Sequence, residues 1–458
     1  MASTATEHIS LERLDSGASK GVLAGQGRSP QPTVDDLLGG GESDRAMQAL
    51  PPPDRGRAAW IILTAVTVIE LIVWGLPYSV GILHEYWVRD MFPNSESTVT
   101  LAAMLHNGML LVGVGLCGPL FAAVSPKIVL PLQLVGLVAG TLAFILTAFV
   151  TSAWQLVITL GFLYPLSALL FFPCITILYD WFIERRGLAS GIMFGGAAVG
   201  GTIFPLMSAR LLSSIKYKPT LFTIAAMFGV CNGVAMVFLR RRVPIAPVAP
   251  GRRVRPPIDY GFLKRRGFWE MVTFVGVSSM GSFIPSVWLP TFAEVVGPTY
   301  PGGTGLVAIM YASSSFGNPM VGMLADRFPV GFVITGMCTT SALACWLLWG
   351  FGTNSALLVL FSMSWGMFAL PLAATWSRMI SYIARDDPML PMLLFSVNAF
   401  VRGSVNFASG PMSTALLKSS VLKGAAGAYG STNYGALLLF TGAVTFAGGL
   451  AAAFFPRR

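Results

Sequence analysis

Apolar residues occur along this chain in twelve runs, each close to the roughly 20 residues that cross a bilayer as a helix. Short stretches rich in Gly, Pro and charged residues separate the runs. The predicted helices are 58–83, 99–124, 128–150, 154–179, 188–212, 219–239, 268–293, 304–325, 330–351, 355–378, 388–414 and 433–455. The pattern predicts an all-α, multi-pass integral membrane protein.

Two polar segments flank and divide the twelve runs. Residues 1–57 are rich in Gly, Ser, Asp and Glu and have too few apolar residues to form a core, so we expect a disordered tail there. Residues 240–266 hold nine Lys or Arg against one acid, Asp259, around a Pro-rich middle. We expect this linker to face anionic lipid. It separates an N-terminal six-helix half, 58–239, from a C-terminal half, 267–458.

The basic residues also predict the orientation of the chain. From Arg55 onward, nineteen Lys or Arg lie in the linker and near the helix ends on the side of the two termini, and six lie in the loops on the other side. Basic residues near helix ends stay in the cytoplasm, so both termini are predicted to be cytoplasmic. We expect a plasma-membrane location. No apolar core of a cleavable signal peptide is present in 1–49.

Composition narrows the function classes. The chain is 54% hydrophobic and 11% charged, whereas soluble domains carry about 25% charged residues. Topology accounts for the net charge of +10, so no nucleic-acid partner is expected. The five cysteines lie inside apolar runs and have no metal-ligand spacing. No cluster has the spacing of a catalytic triad or metal site, which argues against an enzyme and against a cofactor.

The most informative stretch is Trp181 to Gly201, WFIERRGLASGIMFGGAAVGG. It reads as the end of one helix, a turn containing Arg185 and Arg186, and a second helix entering the membrane. The second helix has two consecutive small-xxx-small pairs, Gly191/Gly195 and Gly196/Gly200. Such pairs let two helix backbones approach closely in lipid, so these four glycines are predicted to pack helices together.

This stretch resembles the fifth-helix signature of monocarboxylate porters, a family of the major facilitator superfamily. The matching residues are Trp181, Phe182, Arg185, Arg186, Leu188, Ala189, Gly191 and Gly196. Upstream, Pro52 to Gly56 followed by Trp60 is similar to the family's entry to the first helix, and Trp74 to Gly81 is similar to fungal-type members. The resemblance implies a twelve-helix major facilitator fold with two parallel six-helix halves and transport by alternating access.

A second motif supports the internal repeat. Residues 322–327, Gly-Met-Leu-Ala-Asp-Arg, resemble the turn that joins the eighth and ninth helices in the superfamily. Their counterpart in the first half, 118–123, has lost both charges. A solvated ion pair between Asp326 and Arg327 would be the simplest role. The resemblance favours a gating latch made by Asp326 and Arg327 together with Arg185 and Arg186.

Two charges are predicted near the centre of the membrane, where each costs on the order of 3 kcal/mol. These are Glu70 in the first helix and Arg402 in the eleventh, and Asn398 and Asn406 lie one turn either side of Arg402 on the same face. Three interpretations stay open: Glu70 pairs with Arg402; Arg402 binds an anion while Glu70 carries a proton; or burial keeps Glu70 neutral.

This sequence lacks the charged residues with which the family binds its substrates, so the resemblance does not extend to monocarboxylate binding. Proton-coupled monocarboxylate porters use a lysine in the first helix and an Asp/Arg pair in the eighth. Alignment on this chain puts Tyr78, Ser314 and Asn318 at those positions. We include Tyr78 and Asn318, with Glu70, Asn398, Arg402 and Asn406, in the predicted substrate and proton pathway.

The predicted function is a secondary transporter that exports an amphipathic organic acid or secondary metabolite. Its expected partners are that small molecule, a co- or counter-transported proton and the lipid bilayer. Proton-coupled uptake of a monocarboxylate is the first alternative. A non-transporting nutrient sensor on the same fold is the second.

Overall fold

The computed structural model describes residues 51–242, 260–297, 301–385, 387, 389–419, 422 and 425–456. Twelve long helical segments make up this part of the chain, and we number them α1 to α12. They are α1 Gly56–Met91, α2 Glu96–Ala123, α3 Pro126–Thr147, α4 Ala153–Trp181, α5 Arg186–Ile215, α6 Tyr217–Phe238, α7 Arg266–Val296, α8 Gly302–Arg327, α9 Val330–Trp349, α10 Ser355–Ala384, α11 Leu390–Leu417 and α12 Gly435–Ala453. The predicted all-helical architecture of six plus six helices is confirmed.

Ten of the twelve segments are long and apolar enough to cross a membrane by composition alone. The two others, α8 and α11, have 26 and 28 residues, which is ample length, but they carry more polar side chains. Those polar residues include Ser314 and Asn318 on α8 and Arg402 on α11, which all face the interior of the bundle. The lower hydropathy of these two helices therefore follows from what they line.

The first helix starts earlier than predicted. It begins at Gly56 and runs to Met91, and the preceding Asp54 is 5% exposed and hydrogen-bonded. Residues 51–57 therefore belong to the folded body, and the predicted tail boundary at Arg57 is wrong. The remainder of that tail, 1–50, and linker residues 243–259 lie outside the described residues.

Proline interrupts equivalent helices in the two halves. Segment α1 narrows to a 3₁₀ turn at Leu76–Ser79 and α4 at Tyr164–Ser167, while α7 breaks before Ile284 and α10 at Leu370–Thr375. Each interruption has a proline in its first two positions. Proline lacks the N–H that the helix ladder needs, so the local backbone departs from α geometry. The first and fourth helices of each half share this feature, as an internal repeat requires.

The glycines of α5 lie on two different contacts. A Cβ built on Gly196 would lie 2.7 Å from the Thr67 carbonyl oxygen, and one on Gly200 would lie 2.6 Å from the Leu71 carbonyl oxygen, both on α1 of the same half. A Cβ on Gly191 would instead lie 2.3 Å from the Asn318 carbonyl oxygen of α8, in the other half.

Gly195 belongs to the same contact between the halves, because its Cβ would lie 3.2 Å from the Ser315 carbonyl oxygen of α8. Helix α5 therefore uses one small-residue face for its own half and another for the partner half. A second contact between the halves joins α2 to α11, where a Cβ on Gly118 would meet Ser396 and one on Gly115 would meet Phe400.

Successive spans alternate in direction, so the start of α5, the end of α8, the end of α2 and the start of α11 share one side. This is also the side on which α1 begins and α12 ends, and we call it the terminal side.

Candidate functional site

A cavity lies between the two halves, and each half contributes ten of its lining residues. The lining comes from the first, second, fourth and fifth helices of each half, which include the four proline-interrupted helices. Its volume is about 100 Å³, whereas pockets that hold drug-sized ligands measure about 300–1,000 Å³. The lining residues are Glu70, Trp74, Tyr78, Asn107, Leu111, Val114, Phe171, Phe194, Ala197, Ala198, Phe283, Tyr311, Ser314, Asn318, Leu370, Ala373, Trp376, Phe395, Ala399 and Arg402.

Arg402 is the cation of this cavity. Its guanidinium carbon lies 5.0 Å from the ring centroid of Phe283 and 5.8 Å from that of Trp376, both in its own half. Guanidinium groups stack on aromatic faces because the ring quadrupole attracts the cation. Within the described residues, no carboxylate forms an ion pair with Arg402. The aromatic rings therefore support the cation, and the N–H groups at its edge are left for another acceptor.

Glu70 reaches the same cavity from α1 and is only 2% exposed. Its Oε2 atom has no hydrogen-bond partner among the described residues. No ion pair joins it to Arg402, so the interpretation in which the two charges neutralise each other by direct contact does not hold in this conformation. The two groups instead stand in different halves and face one cavity.

The positions that carry the charges of monocarboxylate porters hold neutral polar groups here. Tyr78 lies in the proline turn of α1, and its ring contacts that of Tyr311 on α8 with centroids 4.4 Å apart. The Asn318 amide donates to the Ser314 carbonyl oxygen at 2.9 Å and to the Ser314 hydroxyl at 3.1 Å. The amide nitrogen of Asn318 is thus satisfied by Ser314 within α8.

Asn398 and Asn406 do not line the cavity, although they share a helix face with Arg402. Asn398 is fully buried, and neither its oxygen nor its nitrogen has a partner among the described residues. Asn406 is half-buried, and its Oδ1 atom is likewise without a partner there. In this conformation the structure brings Arg402 to the cavity without its two neighbouring amides.

A cluster of hydrogen bonds joins the halves on the terminal side, at the turn before α5. The Asp326 carboxylate, at the end of α8, accepts hydrogen bonds from the backbone N–H groups of Gly187 at 2.8 Å and Leu188 at 2.9 Å. These are among the first N–H groups of α5, which lack partners inside the helix and carry its positive dipole end. Asp326 therefore caps a helix of the opposite half.

Two arginines complete this terminal-side latch. Arg378 of α10 pairs with the Asp326 carboxylate inside its own half and donates to the Glu184 carbonyl oxygen across the halves. Arg186 donates to the Ser381 hydroxyl of α10 at 2.8 Å and, within its own half, to the Tyr179 carbonyl oxygen at 3.0 Å. The simple ion pair between Asp326 and Arg327 is thus replaced by a pair with Arg378.

The other two predicted gating arginines occupy different positions. Arg327 is exposed and forms no ion pair within the described residues. Arg185 is also exposed, and its backbone N–H donates to Asp54 at 2.8 Å.

Asp54 was not predicted to act at this turn. Its carboxylate accepts hydrogen bonds from the backbone N–H groups of Ile183, Glu184 and Arg185, and its own N–H donates to the Trp181 carbonyl oxygen. Its backbone has φ 59°, a region that few residues other than Gly adopt. The match of residues 52–56 to the family's entry motif pointed to this position but not to its role. Two carboxylates therefore hold the turn before α5, one from each half.

The hydrogen bonds between the halves and the small cavity occur in one conformation. Hydrogen bonds across the halves close the terminal side, and the cavity is too small for a drug-sized ligand. A cargo of that size enters only when the halves move apart. This arrangement has the parts that alternating access requires: a central cavity, and a contact that forms on one side of it.

Comparison with known proteins agrees with this architecture. The chain is 25% identical over 448 residues to the MFS-type transporter pynF of Aspergillus niger, covering 96% of this chain and 94% of the relative. It is 26% identical over 337 residues to the Fujikurins efflux protein of Gibberella fujikuroi, covering 68% and 71% of the two chains.

The crystal structure of the human organic anion transporter MFSD10 (TETRAN) superposes with a TM-score of 0.63, over 88% of this chain and 100% of that one. At 13% identity this likeness shows the fold alone. The sequence profile described as Major Facilitator Superfamily matches residues 59–389. Two parallel six-helix halves around a shared cavity, with a profile match over most of the chain, show that this protein is a transporter of the Major Facilitator Superfamily.

Proposed function

We propose that this transporter exports an amphipathic organic anion by alternating access, with Arg402 as the group that binds the negative charge of the cargo. The observation that carries the proposal is the position of Arg402. A charge at the centre of a membrane protein is costly, and this one lies in the central cavity, on two aromatic rings, without a carboxylate partner among the described residues. A carboxylate or enolate cargo would supply that partner and accept its paired N–H donors.

The rest of the lining supports an amphipathic cargo over a small hydrated one. Beside the polar groups, the walls are aromatic or aliphatic, with Phe171, Phe194 and Phe395 among them. Small monocarboxylates would gain little from such walls, and the three charges that their porters use are absent from the sequence. Of the two matched fungal relatives, one is named as an MFS-type transporter and the other as an efflux protein, which favours export.

Glu70 is the candidate for the coupled proton. It is a cavity-lining acid with an oxygen that has no partner among the described residues, and it stands in the half opposite to Arg402. A carboxylate in so dry a place is costly unless it binds a proton or a cation. Exchange of that proton during each cycle would link export to the proton gradient across the plasma membrane, with both termini in the cytoplasm. Proton-coupled uptake of a monocarboxylate would use the same two residues in the reverse direction.

Two model compounds of matched shape and one small monocarboxylate test the class of cargo. Thermal unfolding of the purified protein is measured with 1-naphthoate, with its neutral analogue 1-naphthamide, and with lactate. We expect the largest stabilisation from 1-naphthoate, because it combines an anion for Arg402 with an apolar body. Arg402→Gln removes the difference between the acid and the amide. The control Arg210→Gln deletes an exposed charge of α5 and preserves that difference.

Efflux from proteoliposomes loaded with 1-naphthoate gives the transport readout, with the same two variants. Equal stabilisation by the acid and the amide in the unmodified protein contradicts an anion site. So does an Arg402→Gln variant that still distinguishes them. A preference for lactate supports monocarboxylate uptake instead.

A further inference from the structure

A groove separate from the central cavity lies on the outer surface of the first half, between α1 and α6. It holds about 1010 Å³ of open space. Its floor is formed by the buried Ala65 and Ala235, and its walls include the exposed side chains of Trp60, Val230 and Val234. Small residues at the floor and large ones at the rim give a channel that runs along the two helices.

The groove begins at the membrane surface and extends through one leaflet. Gly56 and Arg57, the first residues of α1, lie at one end with Phe238, the last residue of α6. Val68 and Val230 lie at the other end. Twelve residues of helix separate Gly56 from Val68, which corresponds to about 18 Å of rise. Half of a hydrocarbon core of about 30 Å is close to that length.

Basic side chains surround only the terminal-side end. Arg57 lines the groove, and Arg240 follows Phe238 by two residues. Both side chains are exposed, and within the described residues neither forms an ion pair. Two acids of this side are otherwise engaged: Asp54 accepts backbone N–H groups, while Asp180 interacts with Arg241, Arg186 and Arg242.

Hydrogen bonds fix this basic end. The Trp181 indole donates to the Arg240 carbonyl oxygen at 2.9 Å, and Arg242 donates to the Pro51 carbonyl oxygen at 2.7 Å. The first bond attaches the residues that follow α6 to the end of α4, and the second attaches them to the segment that precedes α1. Arg57 therefore lines the mouth of an apolar channel, and the backbone of Arg240 is held two residues beyond Phe238 at the same end.

We propose that this groove is a binding site for an anionic phospholipid, with its phosphate on Arg57 and Arg240 and one acyl chain between α1 and α6. Basic pockets between helices on the cytoplasmic side select anionic headgroups. The predicted orientation places the terminal side in the cytoplasm, where anionic lipids are enriched. Charge complementarity selects the headgroup, and the depth of the groove suits a chain within one leaflet. The site is independent of the cargo site and of the direction of transport.

Native mass spectrometry of the purified full chain tests the headgroup. Phosphatidylserine and phosphatidylcholine with identical chains are added together, and their adducts are compared. We expect a preference for phosphatidylserine. The variant Arg57→Gln/Arg240→Gln reduces this preference roughly 30-fold, from the usual contribution of two basic residues near an anionic surface. The control Lys127→Gln/Lys264→Gln removes two exposed charges away from the groove and keeps the preference.

The chain-binding part is tested separately. Val234→Trp fills the groove from an exposed position, and we expect it to reduce adducts of both lipids. The control Val138→Trp adds the same side chain at an exposed position of α3 and leaves the adducts unchanged. Brominated phosphatidylserine in vesicles quenches the emission of tryptophans that it contacts. We expect Trp60→Phe to remove a larger share of this quenching than Trp154→Phe, which changes an exposed tryptophan at the start of α4, on the opposite side of the membrane.

Three results overturn the proposal: equal adducts of the two lipids with the unmodified chain; the same loss in both double variants, which reports surface charge in general; or a dimer that forms without lipid and is broken by Val234→Trp, which makes the groove an interface between copies.

Discussion

Removing the charge of Asp326 is expected to open the terminal side. The carboxylate caps α5 of the opposite half through Gly187 and Leu188, and it pairs with Arg378 inside its own half. Of these Asp326 contacts, only the two with Gly187 and Leu188 join the halves, so only these two break when the halves separate. Asp326→Asn keeps the size of the side chain and one acceptor oxygen while it removes the negative charge. The change therefore acts on the contact between the halves and leaves the cavity lining untouched.

The magnitude follows from the two bonds across the halves. Hydrogen bonds to a charged group contribute about 1.5–3 kcal/mol and neutral ones about 0.5–1.5. Asparagine has one acceptor oxygen for these two N–H groups, so one bond persists and weakens by about 1 kcal/mol, the other is lost at a cost of about 2 kcal/mol, and the closed state loses about 3 kcal/mol. Since each 1.4 kcal/mol is a factor of ten, the ratio of open to closed molecules rises by about 100-fold. The ion pair between Asp326 and Arg378 lies within one half and is present in the closed and the open state. Its loss therefore largely cancels in the free-energy difference between the two states.

Cysteine accessibility on the other contact between the halves measures this ratio. Ser396 of α11 is buried against Gly118 of α2 on the same side of the membrane. Ser396→Cys is introduced together with Cys231→Ser, which removes the half-buried native thiol. Maleimide labelling of the introduced thiol then reports how often the halves separate. We expect Asp326→Asn to raise the labelling rate by about 100-fold, and Arg327→Gln, next to it but exposed, to change it little.

An unchanged labelling rate in Asp326→Asn, or the same increase in Arg327→Gln, refutes the assignment of the latch to Asp326. A variant that binds 1-naphthoate poorly while labelling normally would place Asp326 in cargo binding instead. Ile128→Cys, on an exposed turn of the terminal side, controls for the reagent and labels equally in all backgrounds.

Three further predictions test other parts of the structure. Because Glu70 and Arg402 form no ion pair, the effects of Glu70→Gln and Arg402→Gln on binding of 1-naphthoate should add within about 0.5 kcal/mol; a double variant less harmed than the sum indicates that they pair in another conformation. Gly196→Leu should reduce the yield of folded protein, as seen by size-exclusion chromatography, since its side chain meets α1 within one half. Gly191→Ala should fold but speed maleimide labelling in the Ser396→Cys background, because it faces the other half, and equal folding defects in both would remove the distinction. Arg252→Cys should label only after cells are permeabilised and Tyr300→Cys on intact cells, and the opposite pattern would reverse the predicted orientation.

The sequence was sufficient for the architecture and for part of the site. Runs of about 20 apolar residues have few alternatives in lipid, because every backbone group must be satisfied within its own helix. The same cost makes a charge in such a run conspicuous, so Glu70 and Arg402 were found and both line the cavity. Asp326 was recognised from its motif, and the small-residue spacing of α5 marked the helix that contacts both halves.

Only the tertiary structure decided which groups meet. Asp326 caps Gly187, 139 positions earlier in the chain, and its charged partner is Arg378 instead of the adjacent Arg327. Asn398 shares a face with Arg402 yet does not reach the cavity, and Asp54 holds a turn 131 positions away at Arg185. Periodicity fixes which residues share a face of one helix. It does not fix which helix that face contacts, because lipid tails are as apolar as the helix surfaces and hydrophobicity selects no particular neighbour. The choice of neighbour for each face depends on backbone approach and on unsatisfied helix ends, which the twelve helices settle only when they pack together.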